Sequence, residues 1–123
     1  MPIGSNNSIL YLSSVAVSYA IKNSAIYTSI KGAMDALTRQ QAVELGPQSI
    51  RVNALAPGPI PTPGTRTIID DEGWRIRGAR SPLGRLPDVS DIAQAATFLV
   101  SDEAKSITGI TLRVDAGVSI AGT

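Results

Sequence analysis

A tyrosine and a lysine four residues apart, Tyr27 and Lys31, are the residues of this sequence best placed to do acid–base chemistry. Residues at this spacing lie on the same face of a helix, one turn apart. A positive ammonium group favours the phenolate and lowers the pKa of a phenol that ordinarily titrates near about 10. Such a phenol can give and take protons near neutral pH. The pair predicts a proton-transfer site, although ordinary exposed helix pairs have the same spacing.

The composition narrows the possible chemistry further. The chain has 123 residues, with no cysteine and no histidine, and a net charge of +1. Disulfides, thiolate metal sites and histidine bases are therefore excluded, so acid–base work falls to Tyr, Lys, Asp or Glu. The balanced charge argues against nucleic acid and anionic membranes as partners, and no apolar run reaches the roughly 20 residues of a membrane span. We expect one cytoplasmic domain with no secretory signal at its start.

A short strand and a serine pair precede the tyrosine. Residues 9–12 form a continuous apolar run, typical of a strand that is buried on both faces of a parallel sheet. Ser13 and Ser14 follow at its carboxyl end, the edge where open α/β sheets bind ligands. Ser14 is the candidate for chemistry, although either serine could simply satisfy backbone groups at the end of the strand.

A long helix, residues 25–45, would carry Tyr27 and Lys31. Residues 22–24 offer capping side chains at its start, and Gly46-Pro47 ends it. Apolar residues recur at spacings of three and four and predict the buried stripe. The members of this stripe are Ile26, Ile30, Ala33, Leu37 and Gln41.

The remaining chain alternates strands and helices. Residues 50–56 predict a second strand, which ends in a proline-rich turn over residues 57–64. Residues 65–86 predict a short helix and a loop, residues 87–101 a helix, and residues 110–114 a third strand. Strands that alternate with helices indicate right-handed crossovers and a parallel sheet. The fold class is therefore α/β, with about three parallel strands and flanking helices.

These motifs together resemble the classical short-chain dehydrogenase/reductase family. The resemblance rests on Ser14, on Tyr27-x-x-x-Lys31, and on the run from Arg51-Val52-Asn53 to Pro57-Gly58. Downstream, residues 101–104, 107–109 and 114–115 also match. The spacing is family-like over essentially the whole chain. The resemblance implies a Rossmann-like sheet and an NAD- or NADP-dependent enzyme that interconverts alcohols and carbonyl compounds.

The resemblance also implies roles for individual residues. Ser14 would bind the oxygen of the small-molecule substrate, Tyr27 would exchange the proton, and Lys31 would act on Tyr27 and hold the nicotinamide ribose. Residues 65–86 would form the variable substrate lid. The residues that would line the cofactor are Tyr27, Lys31, Pro57, Gly58, Ile60 and Thr62.

The sequence departs from the family at its beginning. It contains neither Gly-x-x-x-Gly-x-Gly nor Asn-Asn-Ala-Gly, so residues 1–123 match only the C-terminal half of such an enzyme. A smaller departure is Asp115-Ala116-Gly117, where the family often has Asp-Gly-Gly. Two hypotheses follow: an oxidoreductase, or a catalytically silent module for assembly. Either way, we expect a homo-oligomer or a partner chain that supplies the N-terminal half.

The charged segment around the only tryptophan, Trp74, allows two readings. Residues 70–72 are acidic and could suggest a metal site, but we expect a solvated acidic face. The arginines between residues 75 and 85 could suggest a phosphate or nucleic-acid patch, but we expect them to be neutralised by those acids. Trp74 could pack against substrate or against a neighbouring subunit.

Overall fold

The sheet of the computed structural model, which describes residues 7–121, contains three parallel strands in the order β1-β2-β3. The strands are β1 (Asn7–Leu12), β2 (Ile50–Pro57) and β3 (Thr111–Val114). The helices are α1 (Ala25–Leu45), α2 (Asp71–Arg80) and α3 (Val89–Val100). The predicted fold class, a partial Rossmann-like α/β sheet with flanking helices, is confirmed. Residues 1–6 and 122–123 of the predicted domain lie outside the described range.

The middle strand, β2, is the centre of the core. Val52 and Leu55 are almost wholly buried, since the strand is covered on both faces. Two polar residues are buried beside them. Asn53 donates its side-chain N–H to the Ile107 carbonyl (2.9 Å) and accepts from the Ile110 N–H (3.2 Å). Asn53 thereby fixes the segment that leads into β3 and brings β3 alongside β2.

The face of α1 that packs on the sheet differs from the predicted stripe. Thr38 and Ala42 are buried, whereas Ile26 and Ile30 are 80% and 56% exposed. The predicted stripe was therefore wrong at Ile26, Ile30 and Ala33, which are exposed, whereas its last members, Leu37 and Gln41, are half-buried. Small residues let the helix approach β2 closely, and the Thr38 hydroxyl is satisfied locally because it donates to the Met34 carbonyl (2.7 Å).

Both ends of α1 lie where the sequence predicted them, but the N-terminal capping bond does not form. Ser24 occupies the N-cap position and makes no side-chain bond to the helix. Its hydroxyl instead donates to the Lys22 carbonyl (3.3 Å). At the other end, the chain continues past Leu45 into a short 3₁₀ turn that includes Gly46 and Pro47.

The two shorter helices begin with the capping bonds that their sequences favour. The Asp70 carboxylate accepts from the Gly73 N–H (2.8 Å) at the start of α2. At the start of α3, Asp88 and Asp91 each accept from the other's backbone N–H at 2.9 Å, which forms a capping box. The predicted short helix within residues 65–86 is confirmed, and α2 buries none of its residues.

Candidate active site

The carboxyl ends of the three strands meet at one edge of the sheet. Leu12 pairs with Leu55, and the Ser13 N–H extends the ladder by donating to the Leu55 carbonyl (2.6 Å). Ser14 and Pro57 each lie two residues beyond that pair. The Gly58 N–H donates to the Val114 carbonyl (3.0 Å), which joins the ends of β2 and β3. The structure therefore brings Ser14 and the Pro57-Gly58 turn to the same edge.

The two adjacent serines make different contacts. Ser14 caps a 3₁₀ turn over Val15–Val17, where its Oγ accepts from the Ala16 N–H (3.1 Å). That contact leaves the Ser14 hydroxyl proton available for another acceptor. Ser13 is 2% exposed, and its hydroxyl donates to the Lys31 carbonyl (3.3 Å). Of these two serines, Ser14 is therefore the one whose hydroxyl proton is not used in a described hydrogen bond.

Tyr27 and Lys31 lie one turn apart at the beginning of α1. The Lys31 ammonium is 5.7 Å from the centroid of the Tyr27 ring. The same Nζ donates to the Leu12 carbonyl (3.1 Å), the last carbonyl of β1. Lys31 therefore links the helix that carries Tyr27 to the end of the strand that precedes Ser14. The Tyr27 side chain itself is half exposed.

An open cavity of about 630 Å³ borders Tyr27. It is formed by residues before and within the first turn of α1. Apolar walls with a few polar groups are typical of sites for small molecules. The lining residues are Ala20, Ile21, Asn23, Ser24, Ala25, Ile26, Tyr27 and Thr28.

The loop after β2 is braced by its own hydroxyl groups. Thr62 Oγ1 lies 3.0 Å from Thr65 Oγ1, and each threonine oxygen accepts from the other's backbone N–H. The Thr65 hydroxyl also lies 2.9 Å from the Ile60 carbonyl, to which it can donate. Ile60 and Thr62 thus lie on a stiff loop that leaves the carboxyl edge of the sheet. Sequence reasoning missed Thr65, because its partners became evident only in the folded loop.

Gly58 is held against Asp115. A Cβ at position 58 would stand 2.7 Å from Asp115 Cβ and 2.8 Å from Asp115 Cα. Asp115 is 7% exposed, and its carboxylate accepts from the backbone N–H groups of Gly117 (2.9 Å) and Ser119 (3.0 Å). Burial alone would raise the pKa of Asp115, but the hydrogen bonds from Ser119 and Gly117, with the Arg113 charge, lower it overall.

Tyr19, five residues after Ser14, is a second residue that sequence reasoning missed. Burial raises the pKa of the Tyr19 phenol, the charge of Asp115 raises it further, and the charge of Arg77 opposes both effects. Tyr19 therefore lies within electrostatic reach of the end of β3 and of α2. Only its position in the loop after Ser14 could have singled it out.

The acidic segment at the start of α2 makes local contacts. Glu72 pairs with Arg75 at 2.6 Å, and Asp70 caps the helix. Within residues 7–121, no group of three or more acidic, histidine or cysteine side chains could hold a metal ion. Among the same residues, no helix is long and apolar enough to cross a membrane.

The sheet and the Ser14, Tyr27 and Lys31 arrangement define a Rossmann-like α/β protein with a candidate site at its carboxyl edge. A family model described as enoyl-(acyl carrier protein) reductase matches residues 2–119. The chain belongs to the short-chain dehydrogenase/reductase family.

Several curated proteins and solved structures are similar to the chain. L-xylulose reductase of Bos taurus is 40% identical over 93% of the chain and 47% of that protein. The glucose and ribitol dehydrogenase homolog of Oryza sativa subsp. japonica is 39% identical over 94% of the chain and 38% of that protein. Aldohexose dehydrogenase of Thermoplasma acidophilum superposes with a TM-score of 0.89 at 34% identity, covering 96% of the chain and 50% of that structure. The chain therefore spans about half the length of these relatives.

Proposed function

We propose that the chain forms the proton-transfer side of an NAD- or NADP-dependent oxidoreductase that interconverts alcohols and carbonyl compounds. The observation that carries this proposal is the position of Lys31. Its ammonium lies beside the Tyr27 ring and is bound to the Leu12 carbonyl, two residues before Ser14. The relatives are reductases and dehydrogenases of small molecules, which supports the same reaction class.

Each catalytic side chain has one role in this proposal. In the direction of reduction, Tyr27 gives its hydroxyl proton to the carbonyl oxygen of the substrate, and in oxidation it takes that proton back. The Ser14 hydroxyl donates a hydrogen bond to the same oxygen. Lys31 has three N–H donors, one of which is bound to Leu12, so the others can hold ribose hydroxyls. The nicotinamide, when bound, supplies or accepts the hydride.

The residues present fit the nicotinamide side of the cofactor. Pro57, Gly58, Ile60 and Thr62 are partly exposed on the stiff loop at the carboxyl edge. A pyrophosphate also needs backbone N–H groups at a helix N-terminus, which the family takes from a glycine-rich turn. We therefore assign residues 1–123 to the C-terminal half of the enzyme and residues 65–86 to its lid.

A cofactor titration tests this proposal. The purified chain is mixed with NADH and, separately, with NADPH, while thermal unfolding is followed. A cofactor present at 100 times its dissociation constant should stabilise the chain by about 2.7 kcal/mol. The cofactor that gives the larger shift identifies the preference. If neither cofactor shifts the unfolding temperature, the chain is not an oxidoreductase by itself.

A second candidate function, an assembly module, is favoured by the exposed stripe of α1. Ile26 and Ile30 form an apolar patch beside the Tyr27 cavity. The proposed occupant of this patch is a second copy of the chain or a chain that supplies the N-terminal half, in a cytoplasmic setting. Neither nucleic acid nor a membrane is a proposed partner.

Light scattering after size-exclusion chromatography tests the assembly proposal. The double substitution Ile26→Lys with Ile30→Lys should lower the measured mass to that of one chain. Ile68→Lys is the matched control, because Ile68 is 83% exposed but lies outside α1. If the wild-type chain runs as a monomer, self-association through α1 is refuted.

A further inference from the structure

Asp115 is a buried carboxylate that the proposed proton transfer does not use. It directly follows β3, and its two oxygens accept from the N–H groups of Gly117 and Ser119 at 2.9 and 3.0 Å. These bonds fold residues 115–120, the C-terminal turn, into a compact unit. Gly117 has φ of +86°, a left-handed conformation that glycine adopts without strain. The carboxylate therefore determines the shape of this turn.

One side of the C-terminal turn lies against the proposed cofactor loop. A Cβ at position 58 would be 2.7 Å from Asp115 Cβ. A carbon atom at that position would overlap Asp115, so the Gly58 backbone packs directly against the Asp115 side chain. Any displacement of Asp115 is thus transmitted to Gly58, which begins the loop that carries Ile60 and Thr62.

The other side of the same turn lies against the segment after α2. A Cβ at Gly117 would be 2.6 Å from Pro82 Cγ. Pro82 is two residues beyond the end of α2. Its neighbour Ser81 is 5% exposed and donates to the Arg85 carbonyl (2.7 Å). The C-terminal turn therefore separates the proposed cofactor loop from the root of the proposed lid.

Tyr19 lies within electrostatic reach of both the turn and the lid. Its electrostatic neighbours are Asp115 on the turn and Arg77 on α2. The Arg77 guanidinium lies 5.9 Å from the centroid of the Trp74 ring. The Trp74 indole N–H is sheltered from solvent and has no hydrogen-bond partner among the described residues. The sheltered Trp74 indole therefore reports changes in the solvent access of α2.

We propose that Asp115 is a positioning residue of the active site, which sets the spacing between the cofactor loop at Gly58 and the lid root at Pro82. The assignment of Gly58 to a cofactor loop and of Pro82 to a lid rests on the proposed function. The packing of the C-terminal turn against both residues does not. Asp115 touches neither substrate nor reacting atoms in this proposal. It acts through the shape of the C-terminal turn.

Trp74 allows a test that needs no cofactor. It is the only tryptophan in the chain, so its fluorescence reports on α2 alone. Acrylamide quenching is measured for the wild type and for Asp115→Asn at a temperature at which both are fully folded. The substitution replaces one acceptor oxygen by an amide N–H and should loosen the turn. The quenching constant of Trp74 is expected to rise at least about twofold because local opening increases solvent access.

A second variant and a destabilised control separate positioning from general loosening. Pro82→Ala removes the contact with Gly117 without changing the Asp115 hydrogen bonds, and it should raise the quenching of Trp74 in the same way. Val52→Ala weakens the buried beginning of β2, at the opposite end of the strand from Gly58, and should leave the quenching of folded protein unchanged.

Two results would overturn the proposal. Quenching that stays at the wild-type level in both folded Asp115→Asn and Pro82→Ala refutes the link between turn and lid. Quenching that rises equally in Val52→Ala shows that Asp115 has only a general structural role. Failure of the cofactor titration leaves this measurement unaffected, so the two proposals fail independently.

Discussion

The two sides of the candidate site are built in opposite ways. Tyr27 is 51% exposed, and its helix is linked to β1 by one exposed hydrogen bond, from the Lys31 ammonium to the Leu12 carbonyl. Asp115 is 7% exposed, is bonded by two backbone N–H groups and touches Gly58 without a gap. The group proposed to react with substrate is accessible, whereas the group proposed to position its neighbours is enclosed. Substitutions on the first side should change activity with little effect on stability, and substitutions on the second side should lower stability as well as disturb the site.

The largest expected effect is on activity at Tyr27. Tyr27→Phe should lower turnover by roughly 10²- to 10⁴-fold, because the hydroxyl proton is lost. The free energy of unfolding should change by less than about 0.5 kcal/mol, since the side chain is half exposed. Initial rates and urea denaturation measure the two quantities. Tyr11→Phe, which removes the hydrogen bond to Gln41 (2.6 Å), is the control that should keep its activity. Unchanged turnover in Tyr27→Phe would refute the catalytic assignment.

The next effect is on stability at Gly58. Gly58→Ala should lower the free energy of unfolding by about 1–3 kcal/mol, because the added Cβ overlaps Asp115. Gly32→Ala is a matched control in α1, where a Cβ meets no atom within 4 Å. It should stabilise the chain by about 0.5–1 kcal/mol, because alanine favours helix. Urea denaturation of both variants measures the difference. Equal stability of the two variants would contradict the close contact with Asp115.

The third effect is the pH dependence that Asp115 contributes. Its pKa in the folded chain is below the ordinary value of 3.8, so the ionised carboxylate stabilises the fold fully above that pH. The contribution is lost as the pH falls through the folded-state pKa. Asp115→Asn should therefore be less stable than the wild type at pH 7, with a smaller difference near pH 3. Urea denaturation at both pH values tests this, and a constant difference would argue against the assignment.

The smallest effect is expected at Ala116. It adopts φ of +53°, which is strained for a residue with a Cβ. Ala116→Gly should relieve this strain, partly offset by the greater freedom of glycine in the unfolded chain. We expect a net gain of about 0.5 kcal/mol, or about 2 °C in Tm. Differential scanning calorimetry measures it. A lower Tm would mean that the alanine methyl group makes a stabilising contact.

The sequence predicted those features whose causes are local. The bounds of α1 follow from residues near its ends, including Gly46 and Pro47. The spacing of Tyr27 and Lys31 is likewise a property of one helix. The carboxyl-edge placement of Ser14 and Pro57 follows from parallel strand pairing, which alternating strands and helices imply.

The features that the sequence did not predict depend on contacts between distant segments. Apolar spacing marks a stripe on α1, but which face packs on β2 depends on the close approach that Thr38 and Ala42 permit. The role proposed for Asp115 depends on Gly58, which follows a different strand, β2. For the same reason, Ala116 looked like a minor departure from a motif until its backbone conformation was seen.

The bond from Lys31 to Leu12 also has a consequence for the order of folding. The hydrogen bonds of α1 are local and can form in about a microsecond. Leu12 and Leu55 are paired although 43 positions separate them, so β1 docks only after a long loop has closed. The helix can therefore bring Tyr27 and Lys31 onto one face early, while the ammonium reaches its carbonyl only once the sheet exists. During refolding, the Tyr27 and Lys31 pair should form before the strand edge that Lys31 binds.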